Sequence, residues 1–193
     1  MATHSIACAH RRGWTYEQVR DIELPYDWEL VDGEITVRPR TDLWRNRVRD
    51  ALLIALGGSR RAPYAVFAQQ CVLVDEYNPA VPDITVVDQT FVDPYSTECL
   101  PPEAVTLVID IVSETDHIDA WFRKPQLYAT AGIAYFWRVE RDEADRPIVY
   151  EYWLDHESGE YLPAPSGPHT GTLATRAPYP VRVDLTGFGV DGH

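Results

Sequence analysis

Residues 105–112 read VTLVIDIV. Apolar residues fall on both faces of this run, which predicts a strand buried front and back in the middle of a sheet. One residue breaks the pattern, Asp110. An ionised carboxylate inside a sheet is costly unless it is paired, metal-bound, protonated or at an exposed strand end. The stretch that decides the fold therefore also marks a candidate site.

Reading outward, residues 84–87 predict a short strand directly after Pro82-Asp83, and a Pro-rich loop over 91–102 separates it from the central strand. Downstream, residues 119–131 read as a helix ended by Gly132. Pro125 is compatible with that helix only in its first turn or at a kink. Residues 134–139, 148–154 and a strand near Tyr161 predict a closing antiparallel meander, and VRVDLTGF (181–188) a last strand.

In the N-terminal half, Thr15 and Gln18 stand at capping-box spacing and predict a short helix. WELVDGEITVRP (28–39) holds Asp32-Gly33 between two apolar-rich runs, the signal of a hairpin with a primed turn. Trp44, Val48, Ala51, Leu52, Ala55 and Leu56 repeat at helical spacing, with Arg45 and Arg49 on the other face and Gly57-Gly58 as the expected stop. Residues 64–74 predict one strand, ended by DEYNP. The order of elements predicts a mixed α/β (α+β) single domain over 14–188, with tails at 1–13 and 189–193.

The chain has 193 residues, 45% of them hydrophobic and 24% charged, an ordinary globular composition. No apolar run reaches the length of a membrane span, and the opening MATHSIACAHRR lacks an apolar signal core. Cys8, Cys71 and Cys99 form no CxxC motif and no even set, which predicts reduced thiols and a cytoplasmic protein, and argues against a zinc ribbon.

The net charge is −13, unlike a constitutive nucleic-acid coat protein. The charge is also uneven. Residues 38–61 carry arginines 38, 40, 45, 47, 49, 60 and 61 against Asp42 and Asp50, whereas residues 62–122 contain acids but no Lys or Arg. The arginine cluster reads either as a solvated helix face or as a phosphate-tracking surface, with Arg45, Arg49, Arg60 and Arg61 as its candidates. Lys124 is the only lysine, and a compact ammonium is not replaced geometrically by arginine.

Asp83, Asp110 and Lys124 around neighbouring strand ends are the parts needed to hold a hard divalent cation and a phosphate. Mg²⁺ takes oxygen ligands. It polarises a scissile phosphate and activates water. A lysine near its ordinary pKa is a poor base at neutral pH, so Lys124 is expected to act electrostatically. The six histidines (4, 10, 117, 156, 169, 193) show no ligand spacing, and His117 reads as a loop residue. No Gly-rich phosphate loop or nucleophile elbow is present, and Ser113 reads as a helix cap.

The runs WELVDGEITVRP, VPDITVVD, LVIDIVSETD and RKPQLYATAGIAYFWRVE, in this order, resemble the Uma-two family, restriction-endonuclease-like proteins of the PD-(D/E)XK nuclease superfamily. The resemblance spans residues 14–188. It implies a mixed central sheet flanked by helices and a Mg²⁺ or Mn²⁺ site built from Asp83 and Asp110, with Lys124 moved from the strand onto the following helix. Glu29 and Gln69 are implied as further metal-shell residues. The chain departs from the family at Asp110, where Glu is usual, and at Trp44, where His is frequent.

Three functions remain open on these residues. The leading one is a Mg²⁺- or Mn²⁺-dependent endonuclease acting on DNA. The second is a catalytically silent nuclease fold that serves as a binding or interaction module. The third is a metal hydrolase of small phosphoesters. A homodimer is compatible with cutting both strands of a duplex.

Overall fold

The computed structural model describes residues 13–38, 41–112 and 119–188. Ser113, His117 and Cys8 lie outside the described residues.

Helix α1 (Tyr16–Val19) opens as its capping box predicts, with Gln18 Oε1 accepting from the Thr15 N–H at 3.0 Å. Strands β1 (Trp28–Val31) and β2 (Glu34–Val37) form the expected hairpin. Asp32 and Gly33 both have positive φ, 50° and 77°, as a primed turn requires. Helix α2 (Leu43–Ser59) is capped by the Asp42 carboxylate on the Arg45 N–H and buries Trp44, Val48, Leu52 and Leu56, one stripe at every fourth residue.

The predicted strand over 64–74 is two strands. β3 (Tyr64–Ala68) ends where Gln69 turns into the left-handed region at φ 51°. β4 (Val72–Asp75) then pairs with β5 (Asn78–Ala80), so the residues expected to end the strand begin its partner. β6 (Ile84–Asp88) and β7 (Val105–Ile111) follow. A π-helical turn (Asp119–Arg123) leads into α3 (Lys124–Thr130), which places Pro125 in the first α-helical turn. β8 (Tyr135–Arg141), β9 (Pro147–Asp155) and β10 (Glu160–Pro163) make the antiparallel meander. β11 (His169–Thr170) adds to β9, and β12 (Thr172–Thr175) pairs with β13 (Val181–Asp184).

The main sheet runs β10-β9-β8-β7-β6-β3, with β11 on β9. β7 and β8 are its parallel pair, joined through α3, while the others are antiparallel. The expected architecture is therefore present: a mixed central sheet flanked by helices, with VTLVIDIV well inside it. Side chains alternate across β7. Leu107, Ile109 and Ile111 face a core formed with α2, β12 and β13. Val108 faces a second core formed with Tyr128, Phe136, Ala80 and Leu100. Asp110 belongs to that second face.

Two expectations are corrected here. Helix α2 runs through Gly57-Gly58 to Ser59 instead of stopping there. A glycine costs a helix interior only about 1 kcal/mol. Leu56 is fully buried and Tyr179 Oη donates to its carbonyl at 3.0 Å, which holds the last turn in place. Cys71 and Cys99, read as free thiols, are joined in a disulfide. It ties the start of β4 to the loop before β7, beside the backbone bond from Leu100 N to Cys71 O at 2.7 Å.

Candidate active site

The antiparallel register of β6 and β7 pairs Ile84 with Ile109. One residue further, it sets Asp83 opposite Asp110. Both carboxylates are almost wholly buried, 2% and 3% exposed, and their charges act on each other. Lys124, the first residue of α3, acts on Asp110 as well, and so do Arg45 from α2 and Glu29 from β1. Residues spread from position 29 to position 124 thus meet at one end of two central strands.

Each charge has a defined partner. Asp83 is held from two sides: Arg45 Nε reaches Oδ1 at 3.3 Å and Nη2 reaches Oδ2 at 2.8 Å, while the Ile111 backbone N–H donates to Oδ2 at 2.7 Å. Lys124 Nζ lies 2.9 Å from Glu29 Oε2, both side chains 13% exposed. Tyr128 Oη donates to Asp110 Oδ2 at 3.2 Å.

The electrostatics follow from this crowding. Burial pushes the Asp110 carboxyl up to about 6; Lys124 and Arg45 pull it down, and Asp83 and Glu29 push it further up. Burial works to lower the Lys124 ammonium, but Glu29 and Asp110 together outweigh it, so its pKa ends above the ordinary lysine value. Lys124 is therefore firmly protonated at neutral pH. Burial, with the neighbouring Asp110 charge, also pushes the Tyr128 hydroxyl well above its usual range, so the shared proton stays on the tyrosine.

Of the sequence-derived site residues, Asp83, Asp110, Lys124 and Glu29 come together. Gln69 is exposed and touches the centre through its backbone, its N–H donating to the Asp83 carbonyl at 3.1 Å. Arg45 differs from its expectation as a solvated, phosphate-facing residue: it turns inward as the counter-ion of Asp83. Arg49 lies against Asp50 at 2.8 Å with its side chain 15% exposed. Arg60 Nη1 donates to the Gly57 carbonyl, and Arg61 is exposed at the end of α2. Trp44 is a core residue, its Nε1 donating to the Asp145 carbonyl at 2.8 Å.

Sequence reasoning missed the roles of Arg45 and Tyr128. Tyr128 carried a usable signal, since it stands four residues after Lys124 and so on the same helical face. Arg138, the register neighbour of Asp110 on β8, turns to Glu140 at 2.7 Å and to the rings of Trp121, Tyr150 and Tyr152, each 5.1–5.4 Å from its guanidinium carbon.

The donor chemistry suits a hard divalent ion: Asp83, Asp110 and Glu29 offer only carboxylate oxygens. A cation beside Asp110 would relieve the burial that raises its pKa. Among the described residues, however, no three such side chains are gathered tightly enough to enclose an ion as they stand.

Among solved structures, the chain resembles that of a "putative nuclease belonging to DUF820" from Anabaena variabilis, with a TM-score of 0.64 and 14% identity over 93% of each chain. That identity carries the fold alone. No curated protein matches the chain. The family model described as "Uma2: Putative restriction endonuclease" matches residues 15–175. This span takes in the hairpin, both central strands and α3, with every carboxylate and the lysine of the buried centre, and the chain belongs to the Uma2 family.

Proposed function

We propose that the protein is a Mg²⁺- or Mn²⁺-dependent endonuclease that hydrolyses DNA phosphodiester bonds at the Asp83–Asp110–Lys124 centre. The observation that carries this reading is the convergence of two buried carboxylates from adjacent strand ends with the only lysine of the chain. The match to a family described as "Putative restriction endonuclease" supports it.

In this reading Asp83 and Asp110 hold the ion, and Glu29 is a further carboxylate of the same centre. The bound ion would polarise the scissile phosphate and lower the pKa of the attacking water. Lys124 stays protonated and offsets the negative charge that builds on the phosphate. Glu29 positions that ammonium by pairing with it. Tyr128 orients the Asp110 carboxylate through its hydrogen bond. Gln69, exposed and joined to Asp83 through its backbone, would add an amide oxygen to the metal shell from the solvent side. Arg49, Arg60 and Arg61 supply positive charge along α2 and its end, against a net charge of −13 that makes bare DNA an unwelcome partner without divalent ions.

The test is cleavage of supercoiled plasmid with Mg²⁺ or Mn²⁺ by wild type, Asp83→Ala and Lys124→Ala. Cutting by wild type and at least a hundredfold loss in either variant are expected, on the order of one lost transition-state contact. Equal cutting by all three proteins removes the assignment. A second reading is favoured by one specific observation: Arg45 and Glu29 already pair the residues that an ion and a phosphate would engage. A silent binding module would show no site-specific heat on titration with Mn²⁺.

A further inference from the structure

We infer that Arg45 is a built-in competitor of the divalent ion for Asp83, so that the ion enters only as the guanidinium leaves; the inference rests on the metal reading above. Arg45 engages both oxygens of Asp83 in a fork, at 3.3 and 2.8 Å, and the Ile111 N–H takes a further share of Oδ2. Arginine–carboxylate forks are among the stronger polar contacts. An ion approaching Asp83 therefore meets a carboxylate whose charge is already compensated.

The two partners are not equally trapped. Asp83 is 2% exposed, whereas the Arg45 side chain keeps 23% of its surface in solvent. A long arginine that keeps part of its side chain in solvent has a route for its charged end toward water. Asp83 has no such exit. The exchange thus trades one cation for another at a fixed carboxylate. Arginine stays charged at every accessible pH, so the guanidinium competes as a permanent charge.

The same contact also acts on Asp110. Asp83 stands opposite Asp110, and their mutual repulsion raises Asp110. Arg45 offsets that repulsion until an ion replaces it. Lys124 is committed to Glu29, so the competition falls on Asp83 and not on the lysine.

The experiment is calorimetric titration of Mn²⁺ alone into wild type, Arg45→Met, Arg45→Lys and Asp83→Asn, with thermal unfolding of each followed by circular dichroism with and without Mn²⁺. Arg45→Met is expected to bind roughly tenfold or more tighter than wild type, the scale of a lost charge-assisted pair. Arg45→Lys, a point charge that cannot fork, should fall between them, and Asp83→Asn should lose the site. Mn²⁺ should raise the unfolding midpoint of Arg45→Met by more than that of wild type. Equal or weaker binding by both Arg45 variants, with the site lost in Asp83→Asn, overturns the competition and leaves the metal reading standing. Absence of Mn²⁺ binding in all four proteins overturns both. If Arg45→Met does not fold, Arg45→Lys against wild type decides.

Discussion

Tyr128 Oη donates to Asp110 Oδ2 at 3.2 Å, and both residues are buried. The phenol keeps the proton, while burial holds the carboxyl near 6 instead of 3.8. Between roughly pH 4 and 6 the folded protein therefore carries a proton that the unfolded chain has released. Stability falls as pH rises through that window, and the cost is complete above it. Asp110→Asn does not titrate. The stability of wild type relative to Asp110→Asn should drop by about 3 kcal/mol between pH 3.5 and 7 in metal-free buffer. Urea unfolding of the two proteins at stepped pH measures this, and parallel profiles would refute it.

Glu29 and Lys124 pair at 2.9 Å with little solvent around either side chain. Removing one partner leaves a charge in a poor environment. Lys124→Met and Glu29→Gln should each lower stability by about 3 kcal/mol, and the double variant should lose clearly less than the sum. A double-mutant cycle by chemical denaturation checks the coupling. Additive losses would mean that the two groups do not compensate each other.

The Cys71–Cys99 bridge spans 28 residues of chain. Cross-linking a loop of that length restricts the unfolded state by about 3–4 kcal/mol in the chain-entropy model. Peptide mapping without reductant should recover residues 71 and 99 in one linked fragment, with Cys8 alone open to alkylation. Cys71→Ser/Cys99→Ser should unfold at lower denaturant. Three alkylated cysteines in the untreated protein would contradict the pairing.

Trp44 stands where the family often has histidine, and in this chain it is core: 8% exposed, bonded to the Asp145 carbonyl, with the Arg141 guanidinium 5.5 Å from its ring. Trp44→Ala should cost about 3–5 kcal/mol, the usual range for a large aromatic removed from a core. Trp44→His should also destabilise, because the smaller polar ring cannot fill the space. Thermal unfolding checks this: a midpoint nearly unchanged in both variants would contradict the core role of Trp44.

The parts of the fold that sequence made legible are those where local signals and tertiary demands agree. VTLVIDIV is apolar on both faces because both faces are covered. Asp32-Gly33 turns where no other local conformation fits. Legibility ends where tertiary contacts override local ones. Buried Leu56 and the Tyr179 hydrogen bond carry α2 past two glycines. Gln69, no habitual turn former, takes a positive φ against the Asp83 carbonyl. The buried centre shows the same division. Asp83, Asp110 and Lys124 were readable from type and order. Arg45 was not, because the stripe of α2 assigned it to solvent, and only the strand ends beside the first turn of that helix give it an inward partner.

Consecutive residues at the start of α3 grip the small β1–β2 hairpin: Arg123 holds Asp32 in its turn, with Nε 2.8 Å from Oδ2, and Lys124 holds Glu29 on its first strand. The hairpin belongs to its own two-stranded sheet, outside the main one. Displacing that hairpin would move the Lys124 ammonium with it. The alignment of the buried charges therefore depends on this ribbon, and a ligand acting on its Asp32–Gly33 turn would be felt at the centre.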